Sequence, residues 1–221
     1  MIISLPEKFP IGTLKKQENN QAFIENGILK IGRDCKFSNI MYELTYMMKG
    51  DRICYYCGKT ISKKEMTLDH VYPRDFGGPS ITDNLVPCCQ ECNNDKNNFT
   101  HQQYKEILLA RQNGTAKQLK EEFYRQHEEL RKKKMYSLPE HWIEEVKLSE
   151  IQILYLDSFN YKATKKYKDS KKFYNMYEML RRPIVVDRKN NILDEFILYL
   201  FAKDKKLDKV PTIKLENVQI R

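Results

Sequence analysis

Two cysteine pairs with the same spacing, Cys54-x-x-Cys57 and Cys89-x-x-Cys92, restrict the folds open to this chain more than any other feature. Four thiolates so arranged can enclose one Zn²⁺ tetrahedrally. The ion then pins together two stretches far apart in sequence. Cys88 directly precedes Cys89, which makes the second pair ambiguous. The compact knuckle spacing favours Cys89 with Cys92 and leaves Cys88 as a small buried residue. Four sulfurs leave no open position for water, so the zinc is structural. Asp69-His70 and Asn84 lie between the pairs, and Asn93 follows the second. The clamp is expected to present Asp69, His70, Asn84 and Asn93 to a second, harder metal. That is the makeup of a hydrolytic site on a metal-stapled scaffold.

A chain of 221 residues holds one or two domains. With 41% hydrophobic and 31% charged residues its cores are small, and a zinc staple helps to hold them. The net charge of +9 points toward phosphate-rich partners such as nucleic acid. The alternative is a basic, solvated surface with no partner. No basic amphipathic segment stands alone, which argues against a membrane-surface role. The opening MIISLPEKFP lacks the charged n-region and apolar core of a signal peptide, and no run has transmembrane length. The expected location is the cytoplasm, where thiols stay reduced and CxxC pairs favour metal over disulfide.

The chain starts irregularly and then forms a hairpin. Phe23-Ile24-Glu25 and Ile28-Leu29-Lys30-Ile31 flank Asn26-Gly27, a dipeptide suited to a tight turn. Ser38 is a candidate cap for a short helix carrying Ile40, Met41, Leu44 and Met48, which Gly50 ends. The metal-binding segment runs from about Arg52 to Asn98. Its order is strand (Met66 to Val71), loop (Phe76-Gly77-Gly78-Pro79), strand, and a helix starting near Cys92. Successive strand side chains face opposite ways, so Asp69 and His70 need a local twist or bulge to share a site. Thr100 with Gln103, and Thr115 with Gln118, read as capping boxes of two helices separated by Asn113-Gly114. The second helix carries Ala116, Leu119, Phe123 and Leu130 on one stripe. It ends in Arg131-Lys132-Lys133-Lys134, which suits the helix dipole and also offers contact to nucleic acid.

After Leu138-Pro139 the pattern changes to short strands and helices. Strands are expected at Val146–Leu148, Pro183–Asp187 and, last, Val210–Ile213, with a turn at Asn190-Asn191. Helices are expected toward Tyr177 and from Glu195 to Ala202. The fold class is α+β. The expected divisions are an N-terminal hairpin region (1–37), a metal-binding domain (38–113), a helical linker (114–139) and a small α+β domain (140–221). In the last of these, Lys162, Lys165, Lys166, Lys168, Lys171 and Lys172 alternate with Tyr161, Tyr167, Phe173, Tyr174 and Tyr177. Lysines neutralise phosphates and rings stack on bases. The plainer reading is a solvated basic face over a tyrosine-rich core.

The ordered set Cys54-x-x-Cys57, Leu68-Asp69-His70-Val71-x-Pro73, Gly77-Gly78, Asp83-Asn84-Leu85-Val86, Cys89-x-x-Cys92-Asn93 and Lys96 resembles the HNH endonucleases, with their ββα-metal fold and zinc-knuckle elaboration. The resemblance implies roles. His70 matches the general base that takes a proton from water attacking a phosphodiester. Asp69 matches a metal ligand, and Asn93 a second one, where many relatives carry histidine. Asn84 matches the residue that braces the loop and orients the histidine. The implied catalytic ion is Mg²⁺ or another divalent cation, the substrate is DNA held by its phosphate backbone, and the products carry a 5′-phosphate and a 3′-hydroxyl. Lys96 is a candidate phosphate contact, although a solvated lysine is the plainer reading. Arg74 and Asp75 read as a surface ion pair.

The segment from about Glu144 to Val218 is similar to ParB/sulfiredoxin-like domains. Glu195 stands where that family has glycine, and Leu198 where it has arginine, so nucleotide chemistry is not carried over. The domain is expected to target or hold the substrate or a protein partner. The reading from sequence is a zinc-stapled, Mg²⁺-dependent endonuclease acting on DNA. The alternative is a catalytically inactive zinc-knuckle protein that binds DNA or recruits a partner.

Overall fold

Asn26 and Gly27 adopt left-handed backbone, with φ of 52° and 70°, as a two-residue primed turn requires. They close β1 (Ala22–Glu25) onto β2 (Ile28–Ile31) in an antiparallel hairpin. The structure is a computed structural model describing residues 1, 5–6, 22–32, 35–49, 52–62, 64–153 and 160–220, with backbone alone for 218–220. Helix α1 (Phe37–Met48) follows. Its N-cap is Lys36, without a side-chain cap bond, and Ser38 lies buried inside the first turn. The expected Ser38 cap is therefore corrected. Phe37 is itself part of the apolar face with Ile40, Met41 and Leu44, and burying it starts the helix ahead of the serine. Gly50 and most of the irregular start lie outside the described residues.

The metal-binding segment folds as β3 (Met66–His70), β4 (Leu85–Cys89) and α2 (Gln90–Lys96). The strands pair antiparallel in unbroken register from Met66↔Cys89 to His70↔Leu85. Two helices then pack together, α3 (His101–Gln112) and α4 (Ala116–Lys132), around Phe99, Ile107 and Phe123. Thr100 and Gln103 form the reciprocal capping box of α3. Thr115 makes no cap bond to α4; its hydroxyl turns back to donate to the Ala110 carbonyl at 3.5 Å. The α3–α4 turn is too tight for the extended backbone that a capping residue needs, since Thr115 has ψ of 5°.

The C-terminal part comprises β5 (Glu144–Lys147), α5 (Lys165–Tyr177), β6 (Ile184–Asp187), β7 (Ile192–Asp194), α6 (Phe196–Asp204) and β8 (Lys209–Leu215). The strands form a sheet in the order β5-β8-β6-β7, with β6 and β8 parallel and the other pairs antiparallel. The expected last strand is not the last. A further strand, β9 (Val218–Ile220), pairs parallel with β2 and joins the two ends of the described chain in one three-stranded sheet. Nothing local marks a three-residue strand whose partner lies near the other end of the sequence. The whole mixture is α+β.

All four residues of β6 are buried, which is why it reads as an unbroken apolar run rather than an alternating one. Ile184 and Val186 pack with Tyr199 to Ala202 of α6. Val185 faces the other way, into a core with Leu193, Ile213 and Leu215. That core also contains Leu29 and Ile31 of β2, Ile40, Met41 and Leu44 of α1, and Ile81 and Leu85 beside the metal-binding hairpin. One apolar cluster thus crosses the expected boundaries near 37 and 139. The C-terminal sheet shares one core with Leu85 of β4, the strand paired to the one that carries Asp69 and His70.

Candidate functional site

The sulfur atoms of Cys54, Cys57, Cys89 and Cys92 all lie within 4.8 Å of one another. A tight turn aims the first pair: the Cys54 amide donates to the Lys59 carbonyl, and the Gly58 amide returns to the Cys54 carbonyl. Cys89 ends β4 and Cys92 sits in the first turn of α2, its amide donating to Cys89 Sγ at 3.5 Å. Zinc–thiolate bonds of about 2.3 Å put tetrahedral sulfurs roughly 3.8 Å apart, so slight contraction completes the shell. Burial raises the Cys54 thiol, but amides of Cys57, Cys89 and Tyr56 outweigh this and bring it to about 7. Cys88 lies outside the cluster, fully buried against the Thr67 hydroxyl at 3.3 Å. Burial pushes its thiol up to about 12. The four clustered thiols suit a metal such as zinc.

A groove of about 560 Å³ opens beside this knuckle, lined by Asp69, His70, Pro73, Arg74, Asn93, Asn94, Asn97 and Asn98. Of the expected twist or bulge, the bulge is absent: Asp69 and His70 both reach the groove from a strand in regular β3–β4 register. His70 is the last strand residue and Asp69 faces α2, so the strand end and the helix that follows β4 enclose one space. His70 Nε2 bonds Ser80 Oγ at 3.0 Å. Burial, then the charges of Arg74, Lys96 and Arg182, push the imidazole down to about 3. It is therefore neutral near pH 7, with a nitrogen lone pair for a proton.

Asp69 is 7% exposed. Its Oδ2 accepts from the Tyr56 hydroxyl and pairs with the Lys96 ammonium at 2.8 Å. Lys96 is fully buried and also donates to the His70 carbonyl at 2.8 Å. The solvated or phosphate-touching lysine expected from sequence is thus corrected: residue 96 lies on the face of α2 that covers β3, and its charge is held by a carboxylate and a carbonyl. Asn93 donates from Nδ2 to Thr67 Oγ1 at 3.0 Å, which fixes the amide and leaves Oδ1 as its acceptor. Asn84 is fully buried, and its side chain hydrogen-bonds to backbone. Its Oδ1 accepts from the Tyr72 amide, and its Nδ2 donates to the carbonyls of Tyr72 and Pro79. The loop it spans closes so tightly that a Cβ on Gly78 would meet the Tyr72 carbonyl oxygen at 1.8 Å.

Arg74 and Asp75 do not pair with each other. Arg74 donates to Ser80 Oγ at 2.7 Å and to Glu195 Oε1 at 2.6 Å. Asp75 accepts from Arg181 and Asn98. Arg182 donates from Nε to the Arg74 carbonyl at 2.9 Å and from Nη1 to Glu195 Oε1 at 3.2 Å. Tyr56, Ser80, Arg182 and Glu195 carried no expected role at this groove, Glu195 being noted only for standing at a glycine position. Tyr56 lies inside the first knuckle and Ser80 follows Gly-Gly-Pro, so both had a positional signal. Arg182 and Glu195 act from another element, and nothing in their neighbourhood announces it.

In α5 and the short turn before it the basic and aromatic residues separate. Lys162, Lys165, Lys166, Lys168, Lys171 and Lys172 are exposed. Tyr161 and Tyr167 bond Asp204, and Tyr177 bonds Glu128. Arg131, at the end of α4, lies over the Phe76 ring at 4.5 Å. The rings are packing partners, and the lysines form a basic face over them.

A β-hairpin running into a helix, tied at one end by four thiols and presenting imidazole, carboxylate and amide to one groove, defines the ββα-metal class. Residues 54–109 match the family model described as HNH endonuclease, a likeness that implies a nucleic-acid substrate. No curated protein matches the chain. Among the described residues, no helix is long and apolar enough to cross a membrane.

Proposed function

We propose that the protein is an endonuclease that hydrolyses DNA phosphodiester bonds in the cytoplasm, with His70 as general base and Mg²⁺ held by Asp69 and Asn93. The observation that carries this reading is a half-buried imidazole, bonded to Ser80, sharing a groove with a carboxylate and an anchored amide, inside the segment that matches the nuclease family model. The donor set suits a hard cation: Asp69 Oδ1 has no hydrogen bond among the described residues, and Asn93 offers a carbonyl oxygen. A bound Mg²⁺ supplies charge stabilisation at the phosphate and the departing oxygen. His70 takes the proton of the attacking water at Nδ1 while Nε2–H donates to Ser80 Oγ. Asn84 holds the loop that carries Ser80. Water attack leaves a 5′-phosphate and a 3′-hydroxyl. Zinc at Cys54, Cys57, Cys89 and Cys92 is structural. The exposed lysines of α5 draw the phosphate backbone toward the protein.

The test is a plasmid-nicking assay with Mg²⁺. His70→Ala lowers the rate by about 10²-fold or more, the usual contribution of a positioned base, with zinc content and melting temperature unchanged. Cleavage at the wild-type rate in that variant removes His70 from the reaction. The Lys96–Asp69 pair favours a second reading, in which the ammonium occupies the place of the cation and the domain binds DNA, or recruits a partner, without cutting it. That reading predicts salt-sensitive DNA binding and no nicking with or without EDTA.

A further inference from the structure

The C-terminal part brings a carboxylate behind Arg74, a residue that lines the groove. Glu195 precedes α6 with φ of 65° and ψ of 34°, the left-handed backbone that glycine enters freely and glutamate does not. Its side chain is only 5% exposed, and one oxygen, Oε1, accepts from Arg74 at 2.6 Å and Arg182 at 3.2 Å. Arg182 also holds the Arg74 carbonyl, so both backbone and guanidinium of Arg74 are gripped from the C-terminal side. The other arm of the Arg74 guanidinium donates to Ser80 Oγ, the atom that bonds His70 Nε2. We propose that Glu195 and Arg182 are positioning residues of the nuclease groove, which through Arg74 and Ser80 set the orientation of His70. The C-terminal domain is then part of the catalytic apparatus and not only a targeting arm.

An arginine only donates, so it occupies a lone pair of Ser80 Oγ and fixes where that oxygen sits. Without the guanidinium, Ser80 is free to turn, and the imidazole bonded to it through Nε2 loses its fixed orientation. A contact that merely glued two domains together would not end on the hydrogen-bond partner of the histidine.

The role in catalysis rests on the nuclease reading, but the positioning itself is measurable without it. In the full chain, Glu195→Gly removes the clamp and relieves the left-handed backbone, and Glu195→Gln keeps the shape without the charge. Glu178→Gly is the control, since Glu178 is also left-handed, with φ of 51°, and exposed, and it pairs with Lys134 away from the groove. NMR of the His70 ring is expected to show one sharp set of imidazole signals in the wild type and a shifted or broadened set in both Glu195 variants. Plasmid cleavage should show kcat lower by about 10-fold or more, with KM within about two-fold, as misplacement of a reacting group predicts. The control should match the wild type in both. Unchanged His70 signals in the two Glu195 variants overturn the proposal, and so does wild-type kcat in both. A wild-type chain that does not cut DNA sinks the nuclease reading instead, and the His70 spectrum alone then decides the positioning.

Discussion

Lys96 is the residue whose environment departs most from what its type suggests. A fully buried ammonium beside a 7% exposed carboxylate is held by mutual charge and by the His70 carbonyl. Removing one partner leaves the other uncompensated. Lys96→Met should therefore destabilise the protein by about 3 kcal/mol, measured by denaturant melts, because a broken buried pair costs roughly that much. If Asp69 also binds the cation, Mg²⁺ should restore part of that loss, raising the melting temperature of Lys96→Met more than that of the wild type. An equal, negligible response to Mg²⁺ in both proteins would remove Asp69 from the ligand set. The Asp69-His70 dipeptide itself was readable in the sequence. That Lys96 occupies Asp69 was not, because it depends on which face of α2 meets β3.

At the scale of elements, the hairpin, helix and knuckle act as one unit. The cysteine spacing told which residues form it, and the geometry decides between Cys88 and Cys89. Cys88 is directed into the apolar interior of the knuckle while Cys89 joins the sulfur cluster, as strand alternation requires. Cys57→Ser should lose zinc, read by elemental analysis, and lower the melting temperature by about 10 °C or more, since structural zinc binding is coupled to folding. Cys88→Ser should keep its zinc. Metal loss from the second variant and retention in the first would reverse the assignment. The helix starts show the same division. The Thr100 capping box forms as its sequence states, whereas Ser38 and Thr115 have the right residue type and lose the role to a buried phenylalanine and to a tight turn.

At the scale of the molecule, the apolar cluster ties the hairpin, α1, the metal-binding segment and the C-terminal sheet together. A fragment of residues 1–139 strips Val185, Leu193, Ile213 and Leu215 from that cluster and exposes Ile81 and Leu85. At about 2 kcal/mol for each lost apolar side chain, the deficit is of the order of a whole domain's stability. The fragment should lack a cooperative thermal transition by circular dichroism even when loaded with zinc. A fragment that melts as sharply and as high as the full chain would make the C-terminal sheet an independent neighbour.

Local chemistry was enough to specify what depends on neighbours along the chain. The turn at Asn26-Gly27, the paired thiols, the Thr100 box and the order of strand, loop, strand and helix follow from backbone preference, metal geometry and side-chain period. Tertiary structure alone decided what depends on meetings between distant residues. The β2–β9 pairing, the burial of Lys96, and the reach of Glu195 and Arg182 to Arg74 each join groups that only packing brings together. Apolar burial is non-directional, so a sequence reveals which residues seek the interior without stating which partners they find there.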